Sequence, residues 1–366
     1  MTGSDRRSGK ERVLRILNLG AGGFIGSHLT EHLLSSGHEV TGVDTHADKI
    51  EDLLDHRNFR FIQKDIRQSG FDLDRLVSET DLVIDLIAYA NPGIYLRQPL
   101  DVFRLNFIEN MKIAECCVSR QKRLVQFSSC EVYGKTAASV VPGKLQDPED
   151  PALAIFSEDD TDFILGPVAK HRWIYACSKQ LLERVLHAYG LEGRLSYTII
   201  RPFNFIGPKI DYLPSDTDGF PRVFPHFMEA LIKGTPMKLV DGGRHRRCYT
   251  DIEDAVACIG RIVDNPGRVC DGQIFNIGSP ENEVSIRGLA ELMRDLYAER
   301  FRKPDVPLPE IVEVTAEAFY GKGYDDSDRR IPDISKARTL LGWEPRFGLK
   351  EILERAMQYY VREHAS

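Results

Sequence analysis

Short apolar runs recur along the first half of the chain at the spacing of strands, with helical periodicity between them. Strands are predicted at Arg15–Leu19, residues 39–43, Phe59–Gln63, residues 82–86, Arg123–Phe127 and residues 197–201. Helices are predicted over residues 27–36, where the pattern stops at Gly37, and over about 72–79, 99–119 and 174–188. This alternation predicts an α/β fold, a doubly wound parallel sheet with helices on both faces. After residues 202–208 the rhythm weakens and Pro and Gly become frequent. Helices are expected at 220–233, Ile252–Asp264, 285–297 and 349–361. The second part therefore reads as a smaller C-terminal α/β lobe, with the boundary near residue 201 and the two parts interleaved.

Composition narrows the class. A chain of 366 residues can bury a large core. Its net charge of −7 and pI near 5.9 argue against a nucleic-acid or anionic-membrane partner. No apolar run is long enough to span a bilayer. Residues 1–12 are polar and lack an apolar stretch, so they read as a flexible leader rather than a secretory signal. The seven cysteines form no Cys-x-x-Cys pair and no zinc-like spacing with histidine. Reduced thiols in a cytoplasmic protein, with no metal site, are expected.

The first strand runs into Gly20-Ala21-Gly22-Gly23-Phe24-Ile25-Gly26, and a helix follows. Gly20 permits the turn, Gly23 admits a pyrophosphate to the backbone beside Phe24 and Ile25, and Gly26 lets helix and strand approach. Asp44 ends the second strand, where a carboxylate holds a ribose 2′-hydroxyl and repels a 2′-phosphate. A Rossmann-like site for NAD rather than NADP follows. Asp65 and Ile66 come after the third strand, at the adenine edge; a turn cap is the alternative for Asp65. Ala88 lies after the fourth strand, where it skirts the nicotinamide ribose.

Tyr175 and Lys179 stand four apart, on one face of a helix. An ammonium one turn away favours the phenolate, so Tyr175 can act as a base toward a sugar hydroxyl. Ser129, after the fifth strand, polarises the same oxygen, and Glu131 adds a second acid/base group. Cys130 is either a thiol facing the sugar or a small buried hydrophobe. The segment 238–247 brings Lys238, Arg244, His245, Arg246 and Arg247 to a glycine turn. It reads as a clamp for a second diphosphate, the alternative being a solvated charge run. An arginine in the charge-dense segment 320–333 can grip an acidic substrate in two-point fashion.

With these motifs, residues 15–362 resemble the extended short-chain dehydrogenases/reductases acting on nucleotide sugars. The nearest likeness is to UDP-glucuronate decarboxylases, including the decarboxylase domain of the lipid A UDP-4-amino-arabinose enzyme, and to UDP-apiose/UDP-xylose synthases. The resemblance implies Ala90, Tyr95, Ser129, Cys130, Arg172, Asn204, Lys238, Val240, Arg247, Tyr324 and Arg330 as UDP-sugar contacts. It implies Tyr175 and Lys179 for proton transfer coupled to NAD reduction, and Glu131 and Arg330 as a further acid/base pair. The implied reaction is oxidative decarboxylation of UDP-glucuronic acid to UDP-4-keto-pentose, UDP-xylose or both. Cys130 matches the apiose synthases, whereas Ala90 stands where those carry a second cysteine. UDP-apiose synthesis and UDP-glucuronate 4-epimerisation are the rival enzyme readings, and a non-catalytic NAD-binding sensor is the rival of another class. The helices over 99–119 and 174–188 resemble the pair that builds a homodimer contact in that superfamily.

Overall fold

The computed structural model describes residues 13–140, 147, 150–216 and 222–364; the expected leader 1–12 and the first two residues of the helix expected over 220–233 lie outside them. Seven strands form one sheet in the order Gln273–Ile277, Tyr197–Pro202, Arg123–Phe127, Leu82–Asp85, Arg15–Leu19, Glu39–Asp44, Phe59–Gln63. Every neighbouring pair is parallel. Leu82–Asp85 is buried throughout, as expected of a central strand covered on both faces. The strand order reverses between Arg15–Leu19 and Leu82–Asp85, and the carboxyl ends there open a crevice for a ligand.

The two halves of the chain share this sheet. Gln273–Ile277 comes from the second half and pairs Gln273 with Thr198. Helix Ile252–Asp264 packs on Phe24–Ser35, closely enough that a Cβ on Gly260 would lie 2.4 Å from His32 Nε2. Beyond the sheet, Arg329–Pro332 lies between Arg246–Cys248 and Ile155–Phe156, with Glu283–Ser285 on the far side of Arg246–Cys248. Met237–Val240 pairs with Ile311–Val314. One continuous apolar core runs from Ile16 and Val40 to Phe224, Leu289 and Tyr360, so sheet and lobe pack as a unit.

Two helices depart from the periodicity reading. The first begins at Phe24, inside the glycine turn, rather than at residue 27. The helix expected over 99–119 is divided into Pro99–Phe103, a π-helical turn Arg104–Glu109, and Asn110–Ser119. Asn106, within the π turn, turns its amide to the backbone of Tyr89. It accepts from the Tyr89 N–H at 2.8 Å and donates to the Tyr89 carbonyl at 3.0 Å. A wider turn at a site of this kind re-aims side chains without ending the helix.

Candidate active site

Gly20 sits at φ +93°, and its N–H donates to the Val43 carbonyl at 2.8 Å. A Cβ on Gly26 would lie 2.0 Å from the Gly20 carbonyl oxygen, which a side chain there cannot satisfy without moving the helix off the strand. Gly22, which the sequence reading did not single out, is as tightly placed: its Cβ would lie 2.1 Å from the His46 carbonyl oxygen. At Gly23 a Cβ meets only the Gly20 carbonyl oxygen, at 3.3 Å, so its outer side is open. No side chain caps the helix that starts at Phe24, and its first N–H groups are left for an anion. Asp44 accepts from the Gly22 N–H at 2.9 Å and the Thr45 N–H at 2.7 Å, which fixes its carboxylate beside the turn. Open turn, uncapped helix and anchored carboxylate together fit a dinucleotide.

Asp65 takes its place after the third strand, but both its oxygens are occupied by Arg67. The guanidinium reaches them at 2.8 Å and 3.0 Å, and the Arg67 N–H reaches Oδ1 at 2.8 Å, as in a turn cap. Ile66 packs its side chain on the core cluster that contains Leu76 and Val77. Ala88 lies in a loop held from both ends, because Asn110 also donates to the Ile87 carbonyl at 3.2 Å. Asn106 and Asn110 are site supports that sequence reasoning missed.

Tyr175 and Lys179 lie on helix Ile174–Leu191, both buried. The Tyr175 ring stacks on Tyr95, with centroids 4.4 Å apart and planes 8° from parallel. Ser129 and Tyr95 lie beside its hydroxyl and favour the ionised form. Burial pushes that hydroxyl above the ordinary phenol range, and the negative charge of Glu131 adds to the effect. The Lys179 ammonium donates to the Phe127 carbonyl at 2.9 Å rather than to the phenol. Burial lowers its pKa to about 8, with buried Asp85 opposing. Burial raises Asp85 in turn to about 6. Lys179 is thus held by the end of the fifth strand and by Asp85, a partner the sequence did not reveal.

Nine of the expected residues line one cavity between sheet and lobe: Ala90, Glu131, Arg172, Asn204, Lys238, Val240, Arg247, Tyr324 and Arg330. Tyr95, Ser129 and Cys130 are not among the residues that line it. Cys130 packs with Val132, Tyr133, Phe156 and Phe203, and burial pushes its thiol up, while hydrogen bonding and charge from Arg330 oppose that. Both alternatives for this residue therefore meet in one place: a buried small side chain whose thiol feels the charge of the cavity's Arg330. Asn204 holds φ +42° and donates to the Cys248 carbonyl at 3.2 Å. The basic segment divides. Lys238, His245 and Arg247 face the cavity, Arg246 pairs with Glu283 at 3.3 Å, and Arg244 is exposed.

Glu131 Oε1 accepts from Arg172 Nη2 at 3.0 Å. Arg172 stands over the rings of Trp173 and Tyr324, 5.4 Å and 5.6 Å from their centroids. Among the described residues, Glu131 Oε2, Arg172 Nε and Nη1, and Arg330 Nε are buried without a hydrogen-bond partner. Such atoms are costly unless a ligand satisfies them. Asp326, also missed from the sequence, joins the cluster: Arg172 lies 3.4 Å from Oδ1, Arg330 3.0 Å from Oδ1, and Arg247 3.0 Å from Oδ2. Burial acts to raise its pKa, but the three guanidinium groups hold it well below the usual carboxylate range.

Sequence comparison matches residues 16–278 to the NAD dependent epimerase/dehydratase family. UDP-D-apiose/UDP-D-xylose synthase of Oryza sativa subsp. japonica is 42% identical over 94% of this chain and 89% of its own length. UDP-D-apiose/UDP-D-xylose synthase 1 of Arabidopsis thaliana is 42% identical over 96% of this chain and 92% of its own length. Among solved structures, the PbgP3 protein of Burkholderia pseudomallei superposes with a TM-score of 0.81 at 34% identity, covering 96% of this chain and 97% of that one. The UDP-glucuronic acid 4-epimerase of Bacillus cereus, solved with UDP-glucuronic acid and NAD, shares the fold at a TM-score of 0.77 and 22% identity, over 96% of this chain and all of that one. Profile, relatives and glycine turn agree, and the chain belongs to the NAD dependent epimerase/dehydratase family of enzymes, with NAD as its cofactor.

Proposed function

We propose that this enzyme oxidises UDP-glucuronate at C4 and decarboxylates it, yielding UDP-4-keto-pentose, UDP-xylose or both. The observation that carries the reading is the set of unsatisfied buried atoms on Arg172, Arg330 and Glu131 in one cavity. Two guanidinium groups with free N–H donors suit a sugar carboxylate, because the pairing is planar and charge-assisted. The names of the relatives support the same substrate class.

Gly23, the N–H groups of Phe24 and Ile25, and Asp44 would hold NAD+, which would supply the acceptor for the C4 hydride. Tyr175 takes the proton of the C4 hydroxyl, and Ser129, beside it, orders that oxygen. The Lys179 ammonium, one turn away, is the cation placed to favour the phenolate, by charge alone since its hydrogen bond goes to the Phe127 carbonyl. Once C4 is a ketone, the C6 carboxylate is β to it. The C5–C6 bond breaks, CO2 leaves, and the electron pair enters a C4–C5 enolate. Arg172 and Arg330 orient the carboxylate before loss, and Glu131, whose Oε2 is unspent, handles the proton that C5 then takes up.

UDP-apiose formation is the second reading, favoured by the relatives' names and by Cys130 against Arg330. Product NMR after incubation with UDP-glucuronate and NAD+ separates the readings. UDP-pentose signals support decarboxylation, a branched pentose supports apiose synthesis, and a hexuronate with inverted C4 overturns both. Leu100 and Ile108 on one helix pair member and Leu181 and Leu191 on the other are exposed, which supports a homodimer through these helices. Sedimentation at a monomer's mass would refute that contact.

A further inference from the structure

Asp326 has more charged partners than any other wall residue of the cavity, and the reaction outlined above leaves it without a task. Its Oδ1 faces Arg330 at 3.0 Å and Arg172 at 3.4 Å. Its Oδ2 faces Arg247 at 3.0 Å and accepts from the Tyr324 hydroxyl at 3.1 Å. One oxygen thus serves the arginines with unspent donors, and the other serves the diphosphate-clamp arginine. The backbone beneath is fixed, because neighbouring Asp325 accepts from Trp173 Nε1 at 3.0 Å and pairs with Lys135 at 2.7 Å.

The charges of this cluster can be counted. Arg172, Arg247 and Arg330 are positive, Asp326 and Glu131 negative, so these five side chains carry one surplus positive charge, to which Lys238 across the cavity adds. A uronate carboxylate neutralises the surplus of the five, a neutral pentose does not, and loss of CO2 restores it. In a site from which water is largely excluded, an uncompensated charge is felt strongly.

We propose that Asp326 is a positioning residue that aims Arg172 and Arg330 at the sugar's carboxylate and limits this arginine cluster to one surplus charge, so that the acid is bound but not over-held. The inference rests on UDP-glucuronate being the substrate. Asp326 does not touch the reacting atoms; it acts through the arginines.

The test compares wild type, Asp326→Asn and Asp326→Glu as NAD-loaded enzymes. CO2 release from UDP-glucuronate gives kcat, and equilibrium titration with UDP-glucuronate and with UDP-xylose gives the ratio of acid to neutral-sugar affinity. Asp326→Asn raises the surplus to two charges, so the ratio rises about tenfold or more while kcat falls about 100-fold. A residue that only braces the fold moves both sugars alike. Asp326→Glu keeps the charge but displaces the guanidinium groups, so the ratio stays at the wild-type value and kcat still falls. An unchanged kcat in Asp326→Asn, or an unchanged ratio, overturns the proposal. Should Asp326→Asn not fold, Asp326→Glu decides: a wild-type kcat or a shifted ratio overturns it. A wild type that releases no CO2 while Asp326→Asn still shifts the ratio sinks the assignment of the reaction and leaves the role of Asp326 standing.

Discussion

Replacing Lys179 by Met should raise the stability of the protein while removing its activity. Lys179 is buried, and its pKa falls from 10.5 to about 8 on folding. A drop of that size means the folded protein disfavours the ammonium by about 3 kcal/mol relative to the unfolded chain. The sign follows. Between pH 8 and 10.5 the unfolded chain holds the proton and the folded protein does not, so wild-type stability climbs with pH across that window. Stability from this group is fully present above 10.5 and lost as pH falls through about 8. Methionine matches the buried stem and carries no charge. Against the gain stands the hydrogen bond to the Phe127 carbonyl, about 1 kcal/mol, while Asp85's counter-charge is already contained in the net shift. The net expectation at neutral pH is a gain of about 2 kcal/mol. Urea unfolding of wild type and variant from pH 7 to 10.5 reads both quantities. The reasoning fails if Lys179→Met keeps the rise with pH, or if it is destabilised by more than about 1 kcal/mol. Turnover should drop by about 100-fold or more, since the cation one turn from the phenol is removed.

Other substitutions separate the remaining roles. Tyr175→Phe keeps the ring stacked on Tyr95, so NAD+ binding and melting temperature stay near wild type while CO2 release falls about 1,000-fold; turnover above a tenth of wild type contradicts the base assignment. Asn106→Ala frees the Tyr89 backbone from two hydrogen bonds and costs about 1–3 kcal/mol in thermal unfolding, with a lower kcat from a displaced Ala88–Ala90 loop; an unchanged kcat and melting point would show the π turn to be incidental. Asp44→Ala raises the KM for NAD+ and lets NADP+ compete, as steady-state kinetics with each cofactor would report; unchanged cofactor preference removes Asp44 from the ribose site.

The sheet was legible because its strands are short apolar runs, and because Gly20 and Gly26 occupy positions where backbone geometry leaves little choice. The cavity was legible in its outer ring, from Arg172 and Arg247 to Arg330. Asp326 was not, because Asp325, Asp326 and Asp328 look alike in sequence, and only folding sends one to three arginines and another to Lys135 and Trp173. The fate of the adjacent pair Arg246 and Arg247 was in principle readable. Strand alternation turns one to Glu283 and the other to the cavity, but the strand Arg246–Cys248 is too short to announce itself. The π turn at Arg104–Glu109 leaves the apolar spacing almost unchanged, so periodicity passes over it. Asp65 and Lys179 show a further limit. Spacing names the partner a charged group can reach, while Arg67 and the Phe127 carbonyl are the partners it takes.

The most direct measurement follows the fate of C6. With UDP-glucuronate carrying an isotopic label at C6 and NAD+ present, the account predicts that the label leaves as CO2 and that the remaining UDP-sugar has five carbons. A UDP-sugar that keeps the label through turnover would contradict it.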